Sequence, residues 1–228
     1  MSSTTMALSP SPADLFALPG VYRPQGDTLL LARALAGEEL GPRTSVLEIG
    51  SGTGALSLQA AYAGADVTAV DVSWAAVATA RINARRHRLA LRVLHGDFAR
   101  RTAGHRFDLV VTNPPYVPTA ASGLPAHGPQ RAWNAGPDGR TVIDRICGAA
   151  PTLLRPGGRL LMVHSGMCGP DATVARLTAA GLSAEVTARA TVPWGPVLRS
   201  RRAWLEQQGL ARPTDQWEEL LVIRARRP

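Results

Sequence analysis

Four residues, NPPY at 113–116, directly follow the aliphatic run FDLVVT, at the place where ligands of an open α/β sheet gather beyond the carboxyl ends of its strands. Two consecutive prolines, Pro114 and Pro115, fix the backbone and remove two donors, which leaves carbonyl groups facing outward. The side-chain oxygen of Asn113 and the carbonyl of Pro114 can then accept both hydrogens of a planar NH₂ group, with Tyr116 placed to stack on the same plane. Held this way, the nitrogen turns its lone pair toward a methyl donor, and both accepted hydrogen bonds stabilise the positive charge that builds as it leaves planarity. Neither a metal nor a nucleophilic side chain is required. A rigid Asn-Pro strand exit without a ligand is the competing reading.

A second constellation suits a cofactor. EIGSGTG, residues 48–54, follows one candidate strand and opens a candidate helix. Its glycines let the backbone turn sharply and approach a ligand, and the helix start offers amide donors. Gly50, Gly52 and Ala55 also satisfy G-x-G-x-x-A, so a hydride-transfer enzyme stays open on this motif alone. Asp71, with Val72 beside it, ends the run ADVTAV at the distance where an acid meets a ribose diol, and its two oxygens match two hydroxyl donors. Asp71 or Ser73 also suits the cap of the helix that follows. Asp97 and Phe98 follow a third run, where an acid accepts from an adenine amine and a ring covers the base; a plain turn is the alternative.

The elements that position these residues alternate short aliphatic runs with longer helical stretches, the mark of a parallel sheet with crossover helices. Strands are expected at SVLEI, ADVTAV, LRVLHG, FDLVVT and GRLLMV, and helices from near Ala55, Ser73, Gly139 and Asp171. Upstream, Asp27 is expected to cap a helix that carries Leu29, Leu30 and Ala34 into the core. Two final strands, AEVTARATV and WEELLVIRA, read as an antiparallel pair at the sheet edge around a basic helical insert at about 193–210. Residues 1–14, rich in Ser, Thr and Pro, are expected to be mobile, and 15–228 to form one domain.

Composition narrows the class. With 45% hydrophobic residues in 228 and no apolar run long enough to cross a bilayer, the chain reads as a globular protein. The start lacks the pattern of a secretory signal, so the cytoplasm is the default location. Cys147 and Cys168 have no spacing for zinc or a disulfide framework and read as small buried hydrophobes. A net charge of +8 invites an acidic partner, but all 25 basic residues are arginine, which reads as the codon bias of a GC-rich genome. In the insert, Arg199, Arg201 and Arg202 lie beside an apolar face of Val197, Leu198, Trp204 and Leu205; they form either a solvated face or a binding site for an acidic substrate. His127, alone beside a glycine, is no candidate base.

With these motifs assembled, the chain resembles the glutamine methyltransferases of translation release factors (the HemK-like family), especially the short branch without a separate N-terminal helical domain. VYRPQGDT resembles that branch's cofactor-covering opening motif, and HGPQRAWNAGPDGRTVIDR resembles the segment after NPPY, with Trp133 either gating a ligand or anchoring a loop. The resemblance implies a Rossmann-like class I methyltransferase fold, a mostly parallel seven-stranded sheet with helices on both faces. It implies S-adenosylmethionine as cofactor, surrounded by Tyr22, Asp27, Thr28, Glu48, Gly50, Ser51, Gly52, Gly54, Asp71, Val72, Asp97, Phe98 and Asn113. No metal is implied. Asn113, Pro114, Pro115 and Tyr116 would organise the acceptor, a glutamine amide in a protein first, then a nucleobase amine of RNA or DNA, then a small-molecule amine. Arg23 and Gly26 stand where the short branch usually carries acids, and the insert exceeds the compact members, some of which act with a small zinc-containing activator that is not assumed here. A catalytically silent cofactor-binding subunit and a dehydrogenase are the rival classes.

Overall fold

The computed structural model describes residues 14–228, so the mobility expected of residues 1–14 falls, but for Asp14, outside the described residues. Seven strands form one sheet: β1 (Ser45–Ile49), β2 (Asp66–Asp71), β3 (Arg92–His95), β4 (Phe107–Thr112), β5 (Leu154–Ser165), β6 (Ser183–Pro193) and β7 (Trp217–Arg226). Their order is β3-β2-β1-β4-β5-β7-β6, with β7 antiparallel to both neighbours. The helices are α1 (Gly26–Ala36), α2 (Ala55–Tyr62), α3 (Trp74–Arg86), α4 (Phe98–Arg101), α5 (Thr141–Leu153), α6 (Pro170–Ala179), α7 (Pro196–Ser200) and α8 (Arg202–Gln207). Helix α2 contacts both α1 and α3, and α5 contacts α6. This is the expected α/β architecture with the antiparallel pair at its edge. Among the described residues no helix is long and apolar enough to cross a membrane.

Burial explains the strand sequences. β1 and β4 lie at the centre with helices over them, and nearly every residue is buried, so SVLEI and FDLVVT read as continuous apolar runs. Edge strand β6 instead alternates exposed and half-buried positions, as one covered face requires. In α3, Ser73 caps the start by accepting from the Ala76 amide at 3.4 Å, while Arg85 and Arg86 complement the dipole at its end.

Three local expectations need correction. Gln25, not Asp27, occupies the cap position of α1, and Asp27 is its second residue. The helix consequently buries Leu30, Leu31 and Leu35 on the core side and leaves Leu29 44% exposed. Helix α4 was not foreseen, because four residues are too few to show a helical period. The insert is two short helices broken at Arg201, not one stretch.

Gly54 also departs from its expected role. It enters α2 with φ +82°, and a Cβ there would stand 3.2 Å from the Ala80 Cβ of α3. The residue thus serves close packing of two helices in a left-handed conformation. Gly54→Ala is expected to destabilise the fold by about 1–3 kcal/mol, measured by urea unfolding.

Candidate functional site

The chain leaves β1 toward β2 in one direction and β4 toward β5 in the other, so the loops after β1 and β4 diverge and open a crevice at their carboxyl ends. A cavity of about 550 Å³ fills it. Tyr22, Asp27, Thr28, Glu48, Gly50, Ser51, Gly52, Asp71, Val72, Asp97, Phe98, Asn113, Pro114, Pro115 and Tyr116 all line this cavity, whereas Gly54 and His127 do not. Motifs spread over 95 positions of sequence therefore meet in one place.

A single buried carboxylate organises the acceptor side. Oδ2 of Asp27 accepts from the Tyr22 hydroxyl at 2.9 Å and the Tyr116 hydroxyl at 3.1 Å, and Oδ1 accepts from the amide and hydroxyl of Thr28 at 2.6 and 3.2 Å. Burial, and after it the Asp27 charge, push both tyrosine hydroxyls above the usual phenol range, so they stay protonated donors. The Thr28 hydroxyl, its hydrogen directed at Asp27, accepts from Nδ2 of Asn113 at 3.4 Å. That leaves Oδ1 of Asn113 as the free acceptor in the cavity. No donor among the described residues reaches the Pro114 carbonyl. Tyr116 is 8% exposed, its ring wedged into the core and its hydroxyl tied down, so its place in the lining is rigid. Behind it the buried Cys168 thiol, raised to about 12 by burial, donates to the Tyr116 carbonyl at 3.2 Å. Cys168 thus does more than fill space.

The glycine turn meets two acids. Asp71 accepts from the Gly52 amide at 3.0 Å and the Ser73 amide at 2.8 Å, and burial raises its pKa. Glu48, fully buried, accepts from both the amide (3.0 Å) and the hydroxyl of Ser57 in the first turn of α2. Burial, opposed by those bonds and aided by the Asp71 charge, raises it to about 8. A dinucleotide pyrophosphate needs the start of this helix for itself. Here the Glu48 carboxyl takes part of it and Asp71 stands close by, so a phosphate would meet two acids, whereas a cation would draw both back toward their ionised forms. Ser51 Oγ, buried and without a partner among the described residues, lines the same cavity and awaits a ligand group.

Other side chains were not legible beforehand. Arg145 of α5 bridges to Asp97 at 2.6 Å and lies 5.4 Å over the Phe98 ring. This pair lowers the Asp97 pKa despite its partial burial, and the other Asp97 oxygen caps α4. An adenine amine would share Asp97 with Arg145. The segment after NPPY doubles back: Val117 donates to the Trp133 carbonyl at 2.7 Å and accepts from Ala135 at 3.1 Å. Trp133 both anchors this loop and lines the cavity, as do Pro129 and Arg131.

The insert arginines bond inward. Arg199 donates to the Trp194 carbonyl at 2.5 Å, and Arg202 lies 4.5 Å over the Trp194 ring while bonding the Pro213 and Asp215 carbonyls at 3.0 and 2.7 Å. Arg201 bonds the Pro118 carbonyl at 2.7 Å and Asn134 Oδ1 at 2.5 Å, clamping both arms of the loop that follows NPPY. Arg201 and Arg202, half-buried, are internal ties, whereas Arg199 stays exposed, so the three do not share one solvated face.

Comparison with known proteins agrees with this geometry. Residues 14–126 match the methyltransferase small domain. A putative protein N5-glutamine methyltransferase of Methanocaldococcus jannaschii is 33% identical over 77% of this chain and 88% of its own. A release factor glutamine methyltransferase of Moorella thermoacetica is 41% identical over 65% of this chain, which spans only 56% of that protein. The solved E. cuniculi Mtq2–Trm112 complex, responsible for methylating the eRF1 termination factor, contains a chain of like fold, with a TM-score of 0.63, 22% identity and coverage of 92% and 99%.

The buried acids set a pH dependence. Glu48 is raised to about 8, and Glu218, buried at the start of β7, to about 7, both from 4.5. An acid with a raised folded pKa contributes stability that is complete below its unfolded value and is lost as pH rises through the folded one. The melting temperature of the unliganded protein is expected to fall between about pH 5 and pH 8.5, and Glu48→Gln, which cannot ionise, to fall less; calorimetry at both ends checks this.

Proposed function

The chain belongs to the protein N5-glutamine methyltransferase family of S-adenosylmethionine-dependent enzymes, and we propose that its acceptor is the side-chain amide of a glutamine in a protein such as a translation release factor. Residues 15–228 act as one methyltransferase domain in the cytoplasm, with no activator subunit invoked. The observation that carries this reading is the fixed polarity running from Asp27 through Thr28 to Asn113, which turns Oδ1 of Asn113 into the cavity beside the unpartnered Pro114 carbonyl.

The residues present fit the cofactor. The cavity is large enough to hold a nucleoside with an amino-acid tail, Asp71 suits its ribose hydroxyls, Ser51 Oγ lacks a partner among the described residues, and Glu48 and Asp71 would balance a cation that draws them back to their ionised forms. Val72 and Phe98 would flank the base, with Asp97 at its edge and Tyr22 over the entrance. Bound there, S-adenosylmethionine supplies an electrophilic methyl group on a sulfonium. The chain's own part is positioning. Asn113 Oδ1 and the Pro114 carbonyl accept the two amide hydrogens, Pro115 and the tied-down Tyr116 keep both acceptors still, and both bonds gain strength as the nitrogen becomes positive. The proton then leaves the methylated nitrogen to water, and no side-chain base is needed.

Mass spectrometry with isotopically labelled methyl donor tests the acceptor directly. Label is expected on one glutamine of a release factor and absent after its change to asparagine; label appearing only in bulk RNA would overturn the glutamine reading. Asn113→Ala is expected to keep donor affinity within about tenfold and to lower turnover about a hundredfold, the pattern of an interaction concentrated in the transition state. Asp71→Ala is expected to weaken donor binding by about 1.5–3 kcal/mol by calorimetry.

A further inference from the structure

Charge is spread very unevenly along this chain. Between Trp74 and Arg106 stand eight arginines and one acid, a net +7, whereas the other seventeen arginines face sixteen acids. Codon bias explains arginine in place of lysine. It does not explain why nearly all the excess sits in 33 consecutive residues.

The fold gathers that segment at one place, but for Arg106, which lies before β4 and bonds the Pro151 and Leu154 carbonyls beside β5. α3, β3 and α4 form the β3 edge of the sheet, where β3 pairs with β2 and its other side is open among the described residues. All eight arginines are exposed, none makes an ion pair among the described residues, and the segment's one acid, Asp97, is held by Arg145. Arg81 and Arg106 bond backbone carbonyls, while Arg85, Arg86, Arg88, Arg92, Arg100 and Arg101 have no side-chain partner among the described residues. Residues 1–13 contain no acid to supply one. Protection of an edge strand from pairing does not account for them, because only Arg92 lies on β3 itself.

An aromatic platform stands at the end of this strip nearest the cavity. The Trp74 indole is 66% exposed and stacks on the His95 ring with centroids 3.7 Å apart and planes 10° apart. His95 itself lines the cavity. One face of the indole is therefore braced and the other is open at the start of α3, with Arg81, Arg85 and Arg86 following about 10–18 Å further along the helix axis.

We propose that the α3–β3–α4 edge is a docking surface for single-stranded nucleic acid, with phosphates on the arginines and a base stacked on Trp74. An acidic protein would use the charge but not the braced, exposed indole; a single strand uses both. This surface is independent of the acceptor reading, since none of the arginines enters the cavity.

Binding of a labelled 20-nucleotide oligouridylate to the full chain, read by fluorescence anisotropy at several salt concentrations, tests it. Two variants lose equal charge: Arg85, Arg86, Arg92 and Arg101 to Gln on the strip, and Arg33, Arg43, Arg212 and Arg226 to Gln elsewhere. The strip variant is expected to bind about tenfold or more weakly than the control variant, with a log–log salt slope shallower by about 2–3. Trp74→Ala is expected to bind the oligonucleotide about fivefold more weakly and polyglutamate unchanged. Equal weakening by the two charge variants would overturn the proposal in favour of net charge alone. Polyglutamate binding as tightly as the oligonucleotide, with no effect of Trp74→Ala, would overturn it in favour of an acidic protein.

Discussion

A carboxylate cannot donate, and the acceptor side of this protein is built around that asymmetry. Asp27 makes the Thr28 hydroxyl a donor toward itself, Thr28 in turn accepts from Asn113, and Asn113 is left with its oxygen toward the cavity. The other carboxylate oxygen holds both Tyr22 from the segment before α1 and Tyr116 from the turn after β4. Two stretches far apart in sequence, 22–28 and 113–116, are thereby fixed to one point. Without it the NPPY turn would keep its shape but lose the defined orientation of its amide.

The donor side follows a different constraint. The turn after β1 is of the kind that receives phosphates in many α/β proteins, and its sequence alone leaves that option open. Glu48 closes it by seating its own carboxyl against the first turn of α2, in a buried setting that raises its pKa to about 8, so that a cation bound beside it is what would hold it ionised at neutral pH. One side chain at the end of a central strand thus converts an anion site into one suited to a cation. Burial of that acid lowers the stability of the unliganded protein at neutral pH, a cost that a bound cation offsets.

Much of the fold and the site was legible because periodicity and motif position agree. The strand runs, the order of elements, the closing antiparallel pair and the convergence of EIGSGTG, Asp71, Asp97 and NPPY follow from local patterns that tertiary packing reinforces. What escaped the sequence was set by partners distant along the chain. Gly54 is a glycine because Ala80 presses on it, Leu29 is exposed because α1 begins at Gly26, and Arg145 reaches Asp97 across 48 positions. The insert arginines were only partly legible for the same reason: their spacing announces a face, but only the folded chain reveals the carbonyl groups that Arg201 and Arg202 bond.

Arg201 sits at the break between α7 and α8, partly stripped of water, with its fork spread across Pro118 and Asn134. The loop that borders the acceptor is consequently governed by a segment that contributes nothing to the cavity lining. Such an arrangement separates two kinds of evolutionary change. The chemistry resides in residues that tolerate no substitution without loss of alignment, while the breadth of what enters is adjustable from outside, by altering the length or pitch of two short helices. The insert is in that sense a tuning element, able to drift with a changing partner while the reacting centre stays constant.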